Sequence, residues 1–499
     1  MKCLERAAWL KSEKIVIFLL LLLTAAVRIT FLLNFETLTG DASSYVIQAL
    51  EIFDDPSILC NFSNISSTLF QYALAVWIYV WNDHVIAPRF FSLIFGVLLI
   101  LPFYGTVKII FNPRIAFFSC IILIFYPLQV IQSCAPSSDA AYYFFIFCCL
   151  YYFFKYKSDH LVQNLYLSAF LFNIAAVLRF ESWVFIPIFF LFLSFKNFKV
   201  AFVFLILTMI LPGLFLLINQ MQQHDLLYTF NMSGRTSMKS ILEGGLTYDS
   251  RLLSWFFLLC KSTGNALTIV GCVGIFSSII LRRHFQLAIF FIVLFIALTT
   301  NSVLLRMVHH ERYSILLGIL LIPYAIFFVN EVVLFFRIKH KLMLLFFVIL
   351  PMFDFGFVAF NATLTMPTIL QLITPDMKQV SHWLKGNVAY NEKFILDNDH
   401  FDALGASIFL YSGLLPRQCC ILNNFSAEDY KIENKEKFPI FLWSMKPTYL
   451  LLNTSSHLQR VLKFNLGRKK FYVWGITFEF LRYQDMNAFG QYLIYRLSY

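Results

Sequence analysis

Apolar residues in this chain come in long unbroken runs rather than in the short stripes of a water-soluble fold. The first run, Ile15 to Leu33, is long enough to cross a bilayer as a helix, and similar runs recur. The pattern predicts eleven spans, near 15–33, 89–111, 115–132, 139–154, 162–178, 183–195, 200–218, 262–281, 286–304, 313–335 and 342–361. Phe70 to Trp81 is also apolar but shorter than the roughly 20 residues a crossing needs, so it is expected to lie in the membrane plane. After about residue 362 the pattern turns polar. Phe394–Leu396, Pro447–Leu452 and Phe471–Arg482 then read as strands, and Asp376–Leu384, Ala403–Ser412 and His457–Phe464 as helices. The expected architecture is an all-α polytopic membrane bundle, residues 1–362, followed by a small extracytoplasmic α/β domain, residues 363–499.

The charges give the bundle its orientation. Lys2, Arg6, Lys11 and Lys14 precede the first run, whereas Asn34 to Pro88 holds no Lys or Arg but contains Glu36, Asp41, Glu51, Asp54, Asp55 and Asp83. The N-terminus is therefore expected on the cytoplasmic side and the loop 34–88 on the far side. Later turns obey the same alternation. Lys108 with Arg114, Lys155 with Lys157, Lys196 with Lys199, Arg282 with Arg283, and Arg337 with Lys339 and Lys341 all fall on the cytoplasmic side. A second long loop, 219–261, shares the far side with loop 34–88. Counting Phe70–Trp81 as a span would invert every later turn.

Composition agrees with a membrane protein: 59% of residues are hydrophobic and 18% aromatic. The net charge of +11 is the topology signal rather than a nucleic-acid patch, because much of it sits in short loops on one side. Ten cysteines include no CxxC pair. Six Asn-x-Ser/Thr sequons, at Asn61, Asn64, Asn231, Asn361, Asn424 and Asn453, all map to the far side.

The same orientation collects ionisable groups at one membrane face: Asp41, Asp139, Arg179 with Glu181, Arg235, Arg251, and His309-His310-Glu311-Arg312. Such groups at span ends are costly unless paired or used. Arg binds phosphate through two parallel hydrogen bonds, and an Asp accepts a proton from an attacking hydroxyl. Each also has a structural reading. Asp41 reads equally as the N-cap of a helix starting near Ala42, and Asp139 caps a helix after Pro136-Ser137-Ser138. Arg179 and Glu181 form a pair at a span end, and Arg312 with Tyr313 snorkels at the start of another. His309 and His310 are adjacent and would point to different sides of a helix, so no metal site is assigned to them.

These residues resemble a known family. Gly40-Asp41-Ala42-Ser43-Ser44-Tyr45, after the first span, resembles the first-loop acidic motif of C-type glycosyltransferases. Ala87-Pro88-Arg89-Phe90 through Gly96 is similar to the second span of the protein O-mannosyltransferase-like branch, glycosyltransferase family 39. Leu178-Arg179-Phe180-Glu181 followed by Pro187, the segment Tyr228 to Thr236, and Glu311-Arg312-Tyr313 leading to Pro323 resemble further motifs of that branch. Lipid A aminoarabinose transferases are similar as well. The resemblance covers roughly residues 15–335. Many relatives carry Asp-Glu where this chain has Asp41-Ala42, and a Pro-Pro motif where it has Ser66-Ser67-Thr68-Leu69.

The resemblance implies transfer of a monosaccharide from a polyprenyl- or dolichyl-phosphate carrier to a lipid, glycan or protein hydroxyl on the non-cytoplasmic face, with inversion. It implies Asp41 as the acid–base residue. Arg179 and Arg312 would face the donor phosphate, with Glu181, Arg235, His310, Tyr313 and Asp139 as substrate-binding groups. No resident cofactor is expected; a divalent cation, Mg or Mn, is the one to test. The partners are the membrane, the lipid-linked donor and the acceptor, and no nucleic acid. A bacterial inner membrane is favoured over an endoplasmic reticulum membrane. A transporter, expected to carry charges at the bilayer midplane, and a non-catalytic scaffold are the competing classes.

Overall fold

The computed structural model describes residues 2–34, 40–54, 68–243, 248–307, 310–335, 375–397, 409–414, 416–422, 437–453, 469–473, 476–485 and 491–499. The chain divides into two compact units. One comprises Met1–Asn34, Asn61–Phe70 and Phe90–Met366, and the other Phe35–Cys60, Gln71–Arg89 and Pro367–Tyr499. Residues 40–54 and 71–89 of the first loop fall in the same unit as the C-terminal region.

The first unit is helical because its apolar backbone has no other way to satisfy its amides away from water. Its helices are α1 (Lys2–Asn34), α4 (Ile86–Leu98), α5 (Ile100–Ile110), α6 (Pro113–Ile124), α7 (Pro127–Cys134), α8 (Ser138–Asp159), α9 (Val162–Leu178), α10 (Phe185–Ser194), α11 (Phe198–Thr208), α12 (Ile210–Gln223), α13 (Tyr228–Glu243), α14 (Tyr248–Thr263), α15 (Asn265–Ile280), α16 (Phe285–Val303) and α17 (Ile315–Phe335). Ten of the expected spans fall on these helices, and the eleventh, 342–361, lies outside the described residues. Four single helices are long and apolar enough to cross a membrane among the described residues, or up to seven if each bent pair is one span. The bends have local causes. Pro127 starts α7, which departs from α6 by 63°, and Gly264, at φ +84°, stands where α14 and α15 meet at 118°.

Two glycines let helices approach closely. A Cβ on Gly271 would lie 2.4 Å from Leu321 Cγ, and one on Gly274 would lie 2.1 Å from the Tyr324 carbonyl oxygen. This Gly-x-x-Gly face brings α15 against α17 at backbone distance, as small residues do between membrane helices.

The second unit holds α2 (Gly40–Asp54), most of α3 (Thr68–Trp81), α18 (Pro375–Asn387), α19 (Lys437–Met445) and a six-stranded sheet. At 14 residues α3 spans about 21 Å, short of a hydrocarbon core of roughly 30 Å. The strands are β1 (Phe394–Asp397), β2 (Cys419–Leu422), β3 (Tyr449–Asn453), β4 (Lys470–Val473), β5 (Ile476–Asp485) and β6 (Gln491–Ser498), in the order β2-β1-β3-β6-β5-β4. β1 is parallel to β2 and β3, whereas β6, β5 and β4 pair antiparallel. Ile395, Leu450, Phe471, Phe478 and Tyr495 form its core with Leu442 of α19.

The single strand expected over 471–482 is two. Val473 pairs with Ile476, so β4 and β5 form an antiparallel hairpin. β2, β6 and α19 are additional to the expected elements, and the helix expected over 457–464 lies outside the described residues.

Two outcomes follow from this packing. Gly274→Ala should destabilise the folded bundle by about 1–3 kcal/mol, while Gly213→Ala on α12, with nothing within 4 Å of the new Cβ, should be tolerated. Thermal melting in detergent checks the pair; equal melting would mean α15 and α17 separate at little cost. In α2, burial raises the Glu51 carboxyl above its ordinary value. Its contribution to stability is then full below the unfolded pKa and lost as pH rises through the folded one. Glu51→Gln should melt above wild type near about pH 8 and level with it near about pH 4; coincident melting at both would show that water reaches Glu51.

Candidate functional site

Two spans of the first unit begin in the same way, with one extended residue and then a 3-10 turn. Arg179 (φ −154°, ψ 130°) ends α9 and leads into the turn Phe180–Val184. His310 (φ −126°, ψ 133°) leads into the turn Glu311–Ser314 before α17. Each turn carries a carboxylate in its first residues, Glu181 or Glu311, where a helix N-terminus favours negative charge.

The break at Arg179 turns its guanidinium toward α8, where Nη1 donates to Asp139. Nε and Nη2 donate to the two Glu181 oxygens at 3.3 and 2.9 Å, a forked pairing. Side-chain exposure rises from 1% at Asp139 through 11% at Arg179 to 22% at Glu181, so the chain of charges runs outward from the interior. The guanidinium also lies over two rings, with Cζ 4.7 Å from the Tyr313 centroid and 5.9 Å from that of Tyr142.

The second turn is tied to the first group through Tyr313 and Tyr143. Tyr143 donates to the Arg312 carbonyl at 3.1 Å, Arg312 Nη2 donates to the Tyr313 hydroxyl at 3.3 Å, and the Arg312 N–H donates to His310 Nδ1 at 3.3 Å. Ser314 Oγ donates to Ser262 Oγ at 2.8 Å, and Lys261 pairs with Glu311. Between the turns is a small open cleft of about 10 Å³, room for one water, in which three tyrosines and three leucines surround Arg179 and Glu181.

No curated protein matches the chain in sequence. Residues 66–219 match the family described as dolichyl-phosphate-mannose-protein mannosyltransferase. Among solved structures, ArnT from Cupriavidus metallidurans in the apo state is similar over 98% of both chains, with a TM-score of 0.62 and 11% identity. Its undecaprenyl phosphate-bound structure gives a TM-score of 0.57 at 10% identity, again over 98% of both chains. The Archaeoglobus fulgidus oligosaccharyltransferase is similar over 88% of this chain and 68% of its own, with a TM-score of 0.58 and 16% identity. This chain has the C-type glycosyltransferase fold. The resemblance to the C-type glycosyltransferases and their protein O-mannosyltransferase-like branch is borne out by that fold and by the family match over residues 66–219.

Within this glycosyltransferase fold, the structure brings together Asp139, Arg179, Glu181, His310, Arg312 and Tyr313. Asp139, expected first as a helix cap, takes the Arg179 guanidinium. His310 accepts a backbone N–H, and His309 lies outside the described residues. Arg235 is exposed on α13, without a hydrogen bond or ion pair among the described residues. Asp41 is the second residue of α2, in the other compact unit, and its side chain is outside what the structure describes. Asp139 and Glu181 converge on a guanidinium rather than on an open point, so this pair does not fit a divalent cation.

One charged centre stands outside the expected set. Arg28, in the second half of the first apolar run, is fully buried. Its Nη2 donates to Gln129 of the bent helix α7 and its Nη1 to the Thr24 carbonyl at 3.4 Å, while its Nε and the Gln129 Nε2 have no partner among the described residues. A lone arginine among apolar residues in a span was the sequence signal for it. Gln129→Leu should cost about 3 kcal/mol or more by stranding the guanidinium. Arg28→Met combined with Gln129→Leu should return close to wild-type melting. Equal loss in the single and the double variant would mean that the pair is not coupled.

Proposed function

We propose that the protein is a membrane glycosyltransferase. It moves one monosaccharide from a polyprenyl- or dolichyl-phosphate carrier to an acceptor hydroxyl on the non-cytoplasmic face. The observation that carries this reading is the charged and aromatic cluster around Arg179, set at the starts of two spans of a C-type fold. The bound undecaprenyl phosphate in ArnT and the dolichol-phosphate in the archaeal oligosaccharyltransferase support the class of carrier. A cell membrane of bacterial type fits best, and the acceptor is a lipid, a glycan or a protein.

In the proposed reaction Asp41 takes the proton from the acceptor hydroxyl. The acceptor oxygen forms a bond to the anomeric carbon as the bond from that carbon to the phosphate oxygen breaks. The electron pair leaves with the lipid phosphate, and attack from the opposite face inverts the anomeric centre. Arg312 lies beside the departing phosphate and offsets its charge. Arg179, already neutralised by two carboxylates, orders the cluster rather than binding the phosphate alone. No step is assigned to a metal ion.

Transfer from radiolabelled polyprenyl-phosphate sugars in membranes tests the reading. Asp41→Asn, inserted at wild-type levels, should lose at least about 10²-fold in rate. Undiminished transfer by this variant would remove Asp41 from the mechanism, and failure of the wild type with every donor would favour a scaffold or a transporter.

A further inference from the structure

Two lysines from separate elements are held close together beside the start of α11. Lys157 lies in the last turn of α8, past the expected span 139–154, and its Nζ sits 4.4 Å from the centroid of the Phe192 ring on α10. Lys196 follows α10 in the short turn to α11, and Lys199 is the second residue of α11. Burial, and then the charge of Lys196, hold the half-buried Lys157 ammonium below the ordinary lysine value. Like charges side by side are costly unless an anion joins them. Among the described residues Lys157, Lys196 and Lys199 make no ion pair. Asp159 is near in sequence, but its oxygens accept from the Leu161 N–H at 3.0 Å and from Asn164 Nδ2 at 2.8 Å, in the turn to α9.

The backbone adds to this positive field. The Asn197 side chain accepts from the Val200 N–H at 3.2 Å, which leaves the N–H groups of Phe198 and Lys199 without acceptors inside the helix. Apolar surface continues from the same turn. Phe195 is 86% exposed, and Phe198, Phe202 and Ile206 are exposed every four residues along one face of α11. The charge alternation puts this turn on the cytoplasmic side. Phosphate-seeking groups above a lipid-facing apolar stripe match the two ends of a phospholipid.

We infer that Lys157, Lys196 and the start of α11 seat the phosphate of an anionic phospholipid from the cytoplasmic leaflet, with its chains along Phe198, Phe202 and Ile206. Three cations without a paired carboxylate select a headgroup of net negative charge over a zwitterionic one, whose own ammonium they repel. Asp139 starts α8 and Lys157 ends it, about 27 Å apart at 1.5 Å per residue. The lipid seat is therefore separate from the Arg179 cluster and independent of the glycosyltransferase reading.

The test titrates the full-length protein in detergent with phosphatidylglycerol, phosphatidylcholine or inorganic phosphate and reads its thermal shift. Phosphatidylglycerol should stabilise the wild type more than phosphatidylcholine does, and inorganic phosphate should not stabilise it. Lys196→Gln, at an exposed position, should melt as the wild type without lipid and bind phosphatidylglycerol about fivefold more weakly. Lys157→Met, which keeps an apolar side chain over Phe192, should weaken binding by a similar factor; if it does not fold, Lys196→Gln decides alone. Arg283→Gln, in another basic turn, should bind as the wild type does. Unchanged binding by Lys196→Gln would overturn the inference. An equal loss in Arg283→Gln would overturn it in favour of diffuse surface charge. Equal stabilisation by the two phospholipids, or no response to either, would overturn it too, and stabilisation by inorganic phosphate as large as that by phosphatidylglycerol would make the ligand a free anion rather than a lipid.

Discussion

A guanidinium buried among apolar helices must be neutralised where it stands, and at Arg179 this need organises much of what surrounds it. The carboxylates that neutralise it come from different elements, Asp139 from the first turn of α8 and Glu181 from the turn that follows α9. Tyr313 adds a ring face from a third element, the turn before α17. Three segments far apart in sequence thereby meet at a single cation. Interactions of this kind are costly to break one at a time, because whichever partner remains is left charged and poorly hydrated. The extended backbone at Arg179 is the local device that makes this meeting possible, since a continuous helix would not let the chain redirect there.

Around this cation the structure separates groups that hold from groups that are available. Tyr143, Ser314 and Ser262 have their hydrogen bonds within the protein and fix the second turn to α8 and α14. The Tyr142 hydroxyl has none among the described residues, although it belongs to the same helix as Tyr143.

Much of the bundle was legible because the lipid solvent allows few choices. Apolar runs must be helices, and basic turns reveal which side each turn faces, so ten expected spans coincide with helical segments. The pairing of Arg179 with Glu181 was readable from a spacing of two residues at a span end. The engagement of Asp139, forty residues earlier, was not, because no local pattern links an acid at one helix start to an arginine at another helix end. Tyr142 gave no signal, being one aromatic among many in α8. In the C-terminal region, β1 and β3 stood out as short apolar runs. The hairpin of β4 and β5 was hidden because Phe471 to Arg482 is apolar and aromatic on both sides of its turn. The placement of the first loop with the C-terminal sheet depends on contacts distant in sequence, which composition does not encode.

Arg28 has a consequence for how the protein is made. Its partner Gln129 lies 101 residues further along the chain. Helix α1 therefore leaves the ribosome carrying a cation whose amide acceptor has not yet been synthesised. Until α7 arrives, that charge is left to the water-filled insertion channel or to a displaced, shallower position of the helix. The hydrogen bond that satisfies the α1 cation therefore forms only once α7 lies beside it.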